Sequence, residues 1–142
     1  MQGEAELLSD FARYLCILVS GFLEQAVIEL VLEYVRTHSQ PSIHRHIDQR
    51  LRRFTNAKTQ RLLELLGSFD SDWRQDLEKF IVDEYKDAVD GIVDLRNTIS
   101  HGRFAGITFI RVQNYYARIK DVVDHIADLC APKANTNIGT KS

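Results

Sequence analysis

An arginine, an amide and a histidine crowd into Leu95-Arg96-Asn97-Thr98-Ile99-Ser100-His101-Gly102, where a long helical pattern runs into a glycine-containing loop. A neutral imidazole near its ordinary pKa takes or returns a proton at neutral pH. A guanidinium grips a phosphate through two parallel N–H groups. A helix turns about 100° per residue, so Asn97 and His101 share a face while Arg96 and His101 diverge by about 140°. One helix therefore does not easily aim both at one atom. Two copies crossing at a two-fold axis can, because each arginine then meets neighbours from the other chain. The competing reading is that Arg96 and His101 only complement the negative end of the helix dipole.

The loose pattern of Arg and His separated by four to six residues recurs at Arg118 and His125. Both fall mid-helix among Asp121, Asp124 and Asp128, where intrahelical ion pairing accounts for them. His44 and His46 are two apart and point in different directions, unlike the i, i+4 pairs that chelate a metal on one helix face. There is no glycine-rich phosphate loop, no serine–glycine elbow and no cysteine pair at metal spacing. Trp73 and most tyrosines lie on apolar stripes and read as core. Tyr115, beside Tyr116 on a basic helix, is the exception.

Charge is unevenly spread. Residues 36–61 hold seven Arg/Lys and three His against Asp48 alone, residues 70–94 hold nine acids and three bases, and residues 103–120 hold no acid. Each run alone reads as a solvated helix face. If the first and third meet in space, they form a basic surface for a polyanion, with Arg50, Arg53 and Arg103 as candidate RNA contacts.

The elements that must position these residues are helical throughout. Residues 5–36 read as one long helix, with Leu8, Phe11, Leu15, Leu18 and Phe22 at three- and four-residue steps. Its second half, with Val27, Ile28, Leu30, Val31, Leu32 and Val35, is apolar over a wide arc, so it is either central to the bundle or turned to another subunit. Pro41 opens a short helix with Ile43, Ile47, Leu51 and Phe54 on one face. Residues 57–66 make another, capped by Thr55 or Asn56. Residues 72–100, capped by Ser71 or Asp72 and broken near Phe80, carry the stripe Ile81, Tyr85, Ala88, Ile92, Leu95 and Ile99. Gly102 suits a left-handed helix end. Thr108 caps the last helix, whose stripe runs Phe109, Val112, Tyr116, Ile119, Val123, Ile126 and Cys130 until Pro132. Short connections make neighbours antiparallel, so the expected fold is an all-α up-and-down bundle of about five helices. It is one domain over residues 1–131 with a polar, disordered tail at 132–142.

With 142 residues, 44% hydrophobic and 27% charged, the chain is long enough for a sizeable core and ordinary for a globular protein. Cys16 and Cys130 sit in apolar helical patterns, which predicts buried thiols in a reducing cytoplasm. Glu4, Glu6 and Asp10 precede any apolar run, unlike a secretory signal. The uncharged run 14–23 is too short to span a bilayer, so no membrane is expected.

Arg96-Asn97-x-x-x-His101 at the end of the penultimate long helix resembles the Arg-x4–6-His signature of HEPN domains, most closely the RiboL-PSP-HEPN branch, over residues 5–130. That resemblance implies a HEPN-like bundle and a metal-independent endoribonuclease, often a toxin or defence effector, with its motif at a dimer interface. It implies His101 as general base or acid, Arg96 as phosphate clamp and Asn97 as an orienting group, with no cofactor. RNA would be the substrate, a second copy the partner, and an antitoxin or other regulatory protein a further one. The alternative from another class is a non-catalytic helical dimer that binds RNA, nucleotide or protein.

Overall fold

Among the described residues of this computed structural model, 2–102 and 106–132, the chain forms six helices and no strand. They are α1 (Gln2–His38), α2 (Pro41–Leu51), α3 (Thr59–Gly67), α4 (Ser71–Phe80), α5 (Asp83–Ser100) and α6 (Phe109–Cys130). The expected helix over 72–100 is two helices. The break falls at Ile81–Asp83, where Ile81 leaves the helical basin (φ −89°, ψ 68°) and Asp83 is left-handed (φ 52°).

The core is built on α1. Ala12, Cys16, Val19, Leu23, Val27 and Val31 recur at helical steps and are all buried. The wide apolar arc of its second half is used within the chain itself: Val27, Ile28, Val31, Leu32 and Val35 are at most 3% exposed. The exposed apolar surface lies instead on the first half. Leu7, Phe11, Tyr14, Leu18 and Phe22 form an exposed apolar row, about 140° around the helix from the Cys16/Leu23 row at 100° per residue. By length and composition α1 would also cross a membrane, with an 18-residue window of mean hydropathy 2.0; a core helix passes the same test, and 44% of that window is buried inside the chain.

Helices α1 and α6 pair in the same order, Phe11 stacking on Phe109 and Phe22 meeting Tyr116 edge-on, so they run in the same direction. Helices α5 and α6 pair in opposite order: Arg118 reaches Glu84, and Tyr115 lies against Gly91. The approach at Gly91 is tight enough that a Cβ there would sit 2.7 Å from the Tyr115 hydroxyl oxygen, so a glycine is what lets α6 come close. Tyr115 is thereby half-buried rather than presented to solvent, and its hydroxyl accepts a hydrogen bond from Arg111 Nε at 3.1 Å.

Two cap expectations are corrected. Helix α3 begins at Thr59, and neither Thr55 nor Asn56 caps it; its first N–H donates 2.7 Å to Asp90 Oδ1 of α5. Asn56 is instead left-handed (φ 53°), with its N–H on Glu24. Helix α4 is capped by Asp70, whose carboxylate accepts from the Asp72 N–H. Thr108 does cap α6, accepting from the Arg111 N–H. Both cysteines are buried and free, and burial pushes each thiol up to about 11. The expected tail beyond Pro132 lies outside the described residues.

Candidate active site

Helix α5 carries the motif to its end. Its amphipathic stripe buries Ala88 and Ile92 and half-buries Leu95 and Ile99, which fixes the rotation of the helix and so the direction of its last turn. His101 is the C-terminal cap (φ −90°, ψ 11°), and its N–H donates to the Asn97 carbonyl at 3.1 Å. Gly102 follows in the left-handed conformation that the sequence predicts (φ 74°), its N–H closing on Ile99 O at 3.0 Å. A side chain at that φ is strained, so the glycine sets where the helix stops and where His101 stands. The His101 ring is exposed, and no side-chain or backbone group among the described residues bonds it.

Arg96 is turned the other way. Its Nη1 donates to Glu24 Oε2 of α1 at 3.3 Å, with the two side chains 31% and 13% exposed. The same Glu24 oxygen accepts from the Asn56 N–H at 3.1 Å and the Thr55 hydroxyl at 3.4 Å. One carboxylate therefore ties together α1, the bend before α3, and α5. The Arg96 charge is also felt by the nearby Cys16 thiol, where burial raises the pKa and Arg96 opposes it. Asn97 is half-buried, with no side-chain partner among the described residues. Arg96 thus serves the tertiary structure through Glu24, and no helix-end carbonyl bonds its guanidinium among the described residues, unlike the dipole reading of the sequence. Within one chain Arg96 and His101 make no contact with each other.

The remaining candidates separate. Arg50 and Arg53 are exposed and line a cleft of about 480 Å³ between α2 and α3, which they share with Arg61. Arg61 lies over the Phe54 ring at 5.4 Å. Sequence reasoning missed Arg61, and missed Glu24 altogether. Arg103 falls outside the described residues. Arg118 and His125 are not paired along their own helix: Arg118 reaches Glu84 of α5, and His125 bonds Asp76 of α4 at 2.7 Å while stacking on Phe80. The intrahelical pairing expected with Asp121, Asp124 and Asp128 is not what these two make. His44 is bonded to Ser39 O, and Trp73 is buried edge-on against Tyr34. Among the described residues no three or more His, Cys, Asp or Glu converge as metal ligands would.

A family model described as RiboL-PSP-HEPN matches residues 2–131, a span that takes in all six helices. No curated protein and no solved structure matches the chain.

Proposed function

Because the chain belongs to the RiboL-PSP-HEPN family, whose members point to a nuclease or RNA-related function, we propose that it is a metal-independent endoribonuclease acting as a cytoplasmic toxin or defence effector. The observation that carries this reading is His101. Its imidazole is exposed and has no partner among the described residues, and a left-handed glycine places it at the end of the helix that carries Arg96. A structural histidine at a helix end would be expected to bond a terminal carbonyl.

In this reaction His101 takes the proton of a ribose 2′-hydroxyl. The 2′-oxygen attacks the adjacent phosphorus, the bond to the 5′-oxygen breaks, and a protonated imidazole or water returns a proton to that leaving oxygen. Negative charge gathers on the non-bridging oxygens, where the Arg96 guanidinium stabilises it. Asn97 orients the phosphate or the base. The products are a 2′,3′-cyclic phosphate and a 5′-hydroxyl, and DNA is inert for want of the 2′-hydroxyl. Arg96 and His101 stand apart in one chain, so the working site is composite, formed where two copies meet. The exposed α1 row supports such a contact, since Phe11 stacks on Phe109 at the start of α6, beyond the loop that follows His101. That row equally favours a second reading, a non-catalytic helical dimer that binds RNA, nucleotide or a protein such as an antitoxin.

The test is cleavage of a broad panel of end-labelled RNAs in EDTA by purified chain, with its mass followed by sedimentation. The wild type is expected to sediment near twice 16.4 kDa and to leave cyclic phosphate ends. His101→Ala and Arg96→Ala abolish cutting, and Arg96→Lys stays badly impaired because a point charge does not reproduce the bidentate grip. Mixed Arg96→Ala and His101→Ala protomers regain part of the activity. A wild-type dimer that cuts nothing, or cutting that persists in His101→Ala, overturns the reading.

A further inference from the structure

We propose that the cleft between α2 and α3 is a single-stranded RNA subsite beside Arg96, holding one unstacked nucleotide of the strand to be cut. This rests on the ribonuclease reading and names its substrate class. The cleft floor is apolar, with Leu51 and Phe54 buried and Leu65 and Phe69 half-buried. Its rim carries Arg50, Arg53 and Arg61 against one carboxylate, Glu64, an excess of two positive charges. None of the three guanidiniums has an acidic partner among the described residues, although their neighbour Arg52 is paired with Asp48. Uncompensated guanidiniums around an apolar floor suit a ligand with phosphates outside and a flat, weakly polar ring inside. Arg61, already lying on an aromatic face, is of the type that also stacks on bases. A duplex keeps its bases stacked inside and offers only grooves and phosphates, whereas a single strand can place a base on the floor.

The cleft is also tethered to the motif. Phe54 on its floor and Asn56 on Glu24 are two residues apart, a span of at most about 7 Å. Asn56 and Arg96 bond the same Glu24 oxygen. The Phe54 backbone therefore lies on the order of 15 Å or less from the Arg96 guanidinium, close enough for one short strand to run from the cleft to the scissile phosphate.

The experiment uses the full chain carrying His101→Ala, so that RNA is bound but not consumed. A fluorescein-labelled single strand of about 12 nucleotides and the same strand annealed to its complement are titrated by anisotropy between about 50 and 200 mM salt. Replacing Arg50, Arg53 and Arg61 by Gln is expected to weaken single-strand binding at least about ten-fold. The log–log salt slope should flatten by about 2, at about 0.7 for each phosphate that is no longer neutralised. The pair Arg50→Gln with Arg53→Gln, which leaves the Arg61–Phe54 stacking in place, is expected to show an intermediate loss with an unchanged melting temperature. Arg45→Gln, on α2 but outside the cleft, is expected to change affinity less than about two-fold, since it removes charge without touching the subsite. Equal loss on single strand and duplex, or a triple-variant loss no greater than that of Arg45→Gln, overturns the subsite. The two readings fail separately. A wild-type chain that binds through the cleft and cuts nothing refutes the ribonuclease. A triple variant with His101 intact that cuts RNA with wild-type kcat/KM refutes the subsite.

Discussion

Glu24 and Arg96 set up a double-mutant cycle whose outcome follows from their surroundings. The pair is long at 3.3 Å, but both side chains are less than a third exposed, so solvent screens it incompletely. A hydrogen bond to a charged group nets about 1.5–3 kcal/mol, and the length argues for the low end. Glu24→Gln leaves a half-buried guanidinium without its counter-charge and weakens the bonds from Asn56 N–H and Thr55. Arg96→Gln leaves Glu24 with both of those donors. The glutamate change is therefore expected to cost more, about 2 kcal/mol against about 1, with a coupling of about 1 kcal/mol between them. For a chain of this size the larger loss lowers the melting temperature by about 4–8 °C. Urea unfolding of the four proteins, at constant m, reads the coupling directly. A coupling below about 0.3 kcal/mol would mean that Arg96 does not hold Glu24 in solution, and the anchoring argument would be wrong. The ribonuclease reading adds a separate readout: Glu24→Gln keeps the arginine charge and loses its orientation, so kcat falls while RNA affinity changes little.

Two further outcomes are expected. Burial raises the Asp90 carboxyl, but the Thr59 N–H at 2.7 Å and Lys86 at 3.0 Å outweigh it, and the pKa is held below the ordinary carboxylate value. A depressed folded-state pKa means that this stabilisation is fully present above the unfolded value of about 3.9 and is lost as pH falls through the folded value. The stability gap between wild type and Asp90→Asn should thus be flat from pH 7 down to about 5 and shrink below about 4; urea midpoints giving the same gap at pH 3 and pH 7 contradict it. Gly91→Ala gains about 1 kcal/mol of helix propensity but drives a methyl into Tyr115, a clash costing about 1–3 kcal/mol. Thermal melts should show net destabilisation in the wild-type background and none with Tyr115→Leu; a stabilised single variant would show that the ring swings away freely.

What the sequence made legible was local. The α5 stripe, the left-handed Gly102, the Thr108 cap and the stop before Pro132 each follow from residues within a turn or two, and each stands where the pattern put it. The α6 stripe holds in part, since Tyr116 is 40% exposed and Val122, outside the expected stripe, is buried. The α3 cap was not readable, because Asp90 supplies it from 31 residues away. The second half of α1 read as either central to the bundle or turned to another subunit, because periodicity records how wide an arc is, not what covers it; its burial within the chain settles on the first. The candidate residues Arg96, Asn97 and His101 were singled out through spacing and placement at a helix end. Glu24 was not, since its partner lies 72 residues on and nothing in the α1 sequence distinguishes it from Glu29 or Glu33. The basic block also looked uniform in sequence. Among the described residues it divides into charges paired with an acid, Arg36 on Glu33, Arg52 on Asp48 and Lys58 on Asp94, and four without an acidic partner, Arg45 and the trio of the cleft.

An arginine already engaged by a carboxylate looks like a poor phosphate clamp, but its geometry removes the objection. A guanidinium has five N–H donors, and Glu24 takes one of them at Nη1. The others remain for a phosphate, so substrate need not displace Glu24 to be bound. Glu24 has in turn two donors besides Arg96, which spread its charge and lessen its competition with an incoming anion. On the ribonuclease reading the carboxylate is then an anchor that fixes the guanidinium plane before RNA arrives, and that order of events is what gives a bidentate grip its advantage over a mobile lysine. His101 has no such anchor among the described residues. Its ring is exposed, and the apolar row of α1 leaves room for a second copy. An exposed apolar row of this kind suits an interaction surface. If a second copy covers that row and completes the site, as the ribonuclease reading requires, assembly and catalysis are lost together in any variant that places a charge on Phe11 or Leu18; a charged variant that sediments as a monomer and still cuts RNA at the wild-type rate contradicts it.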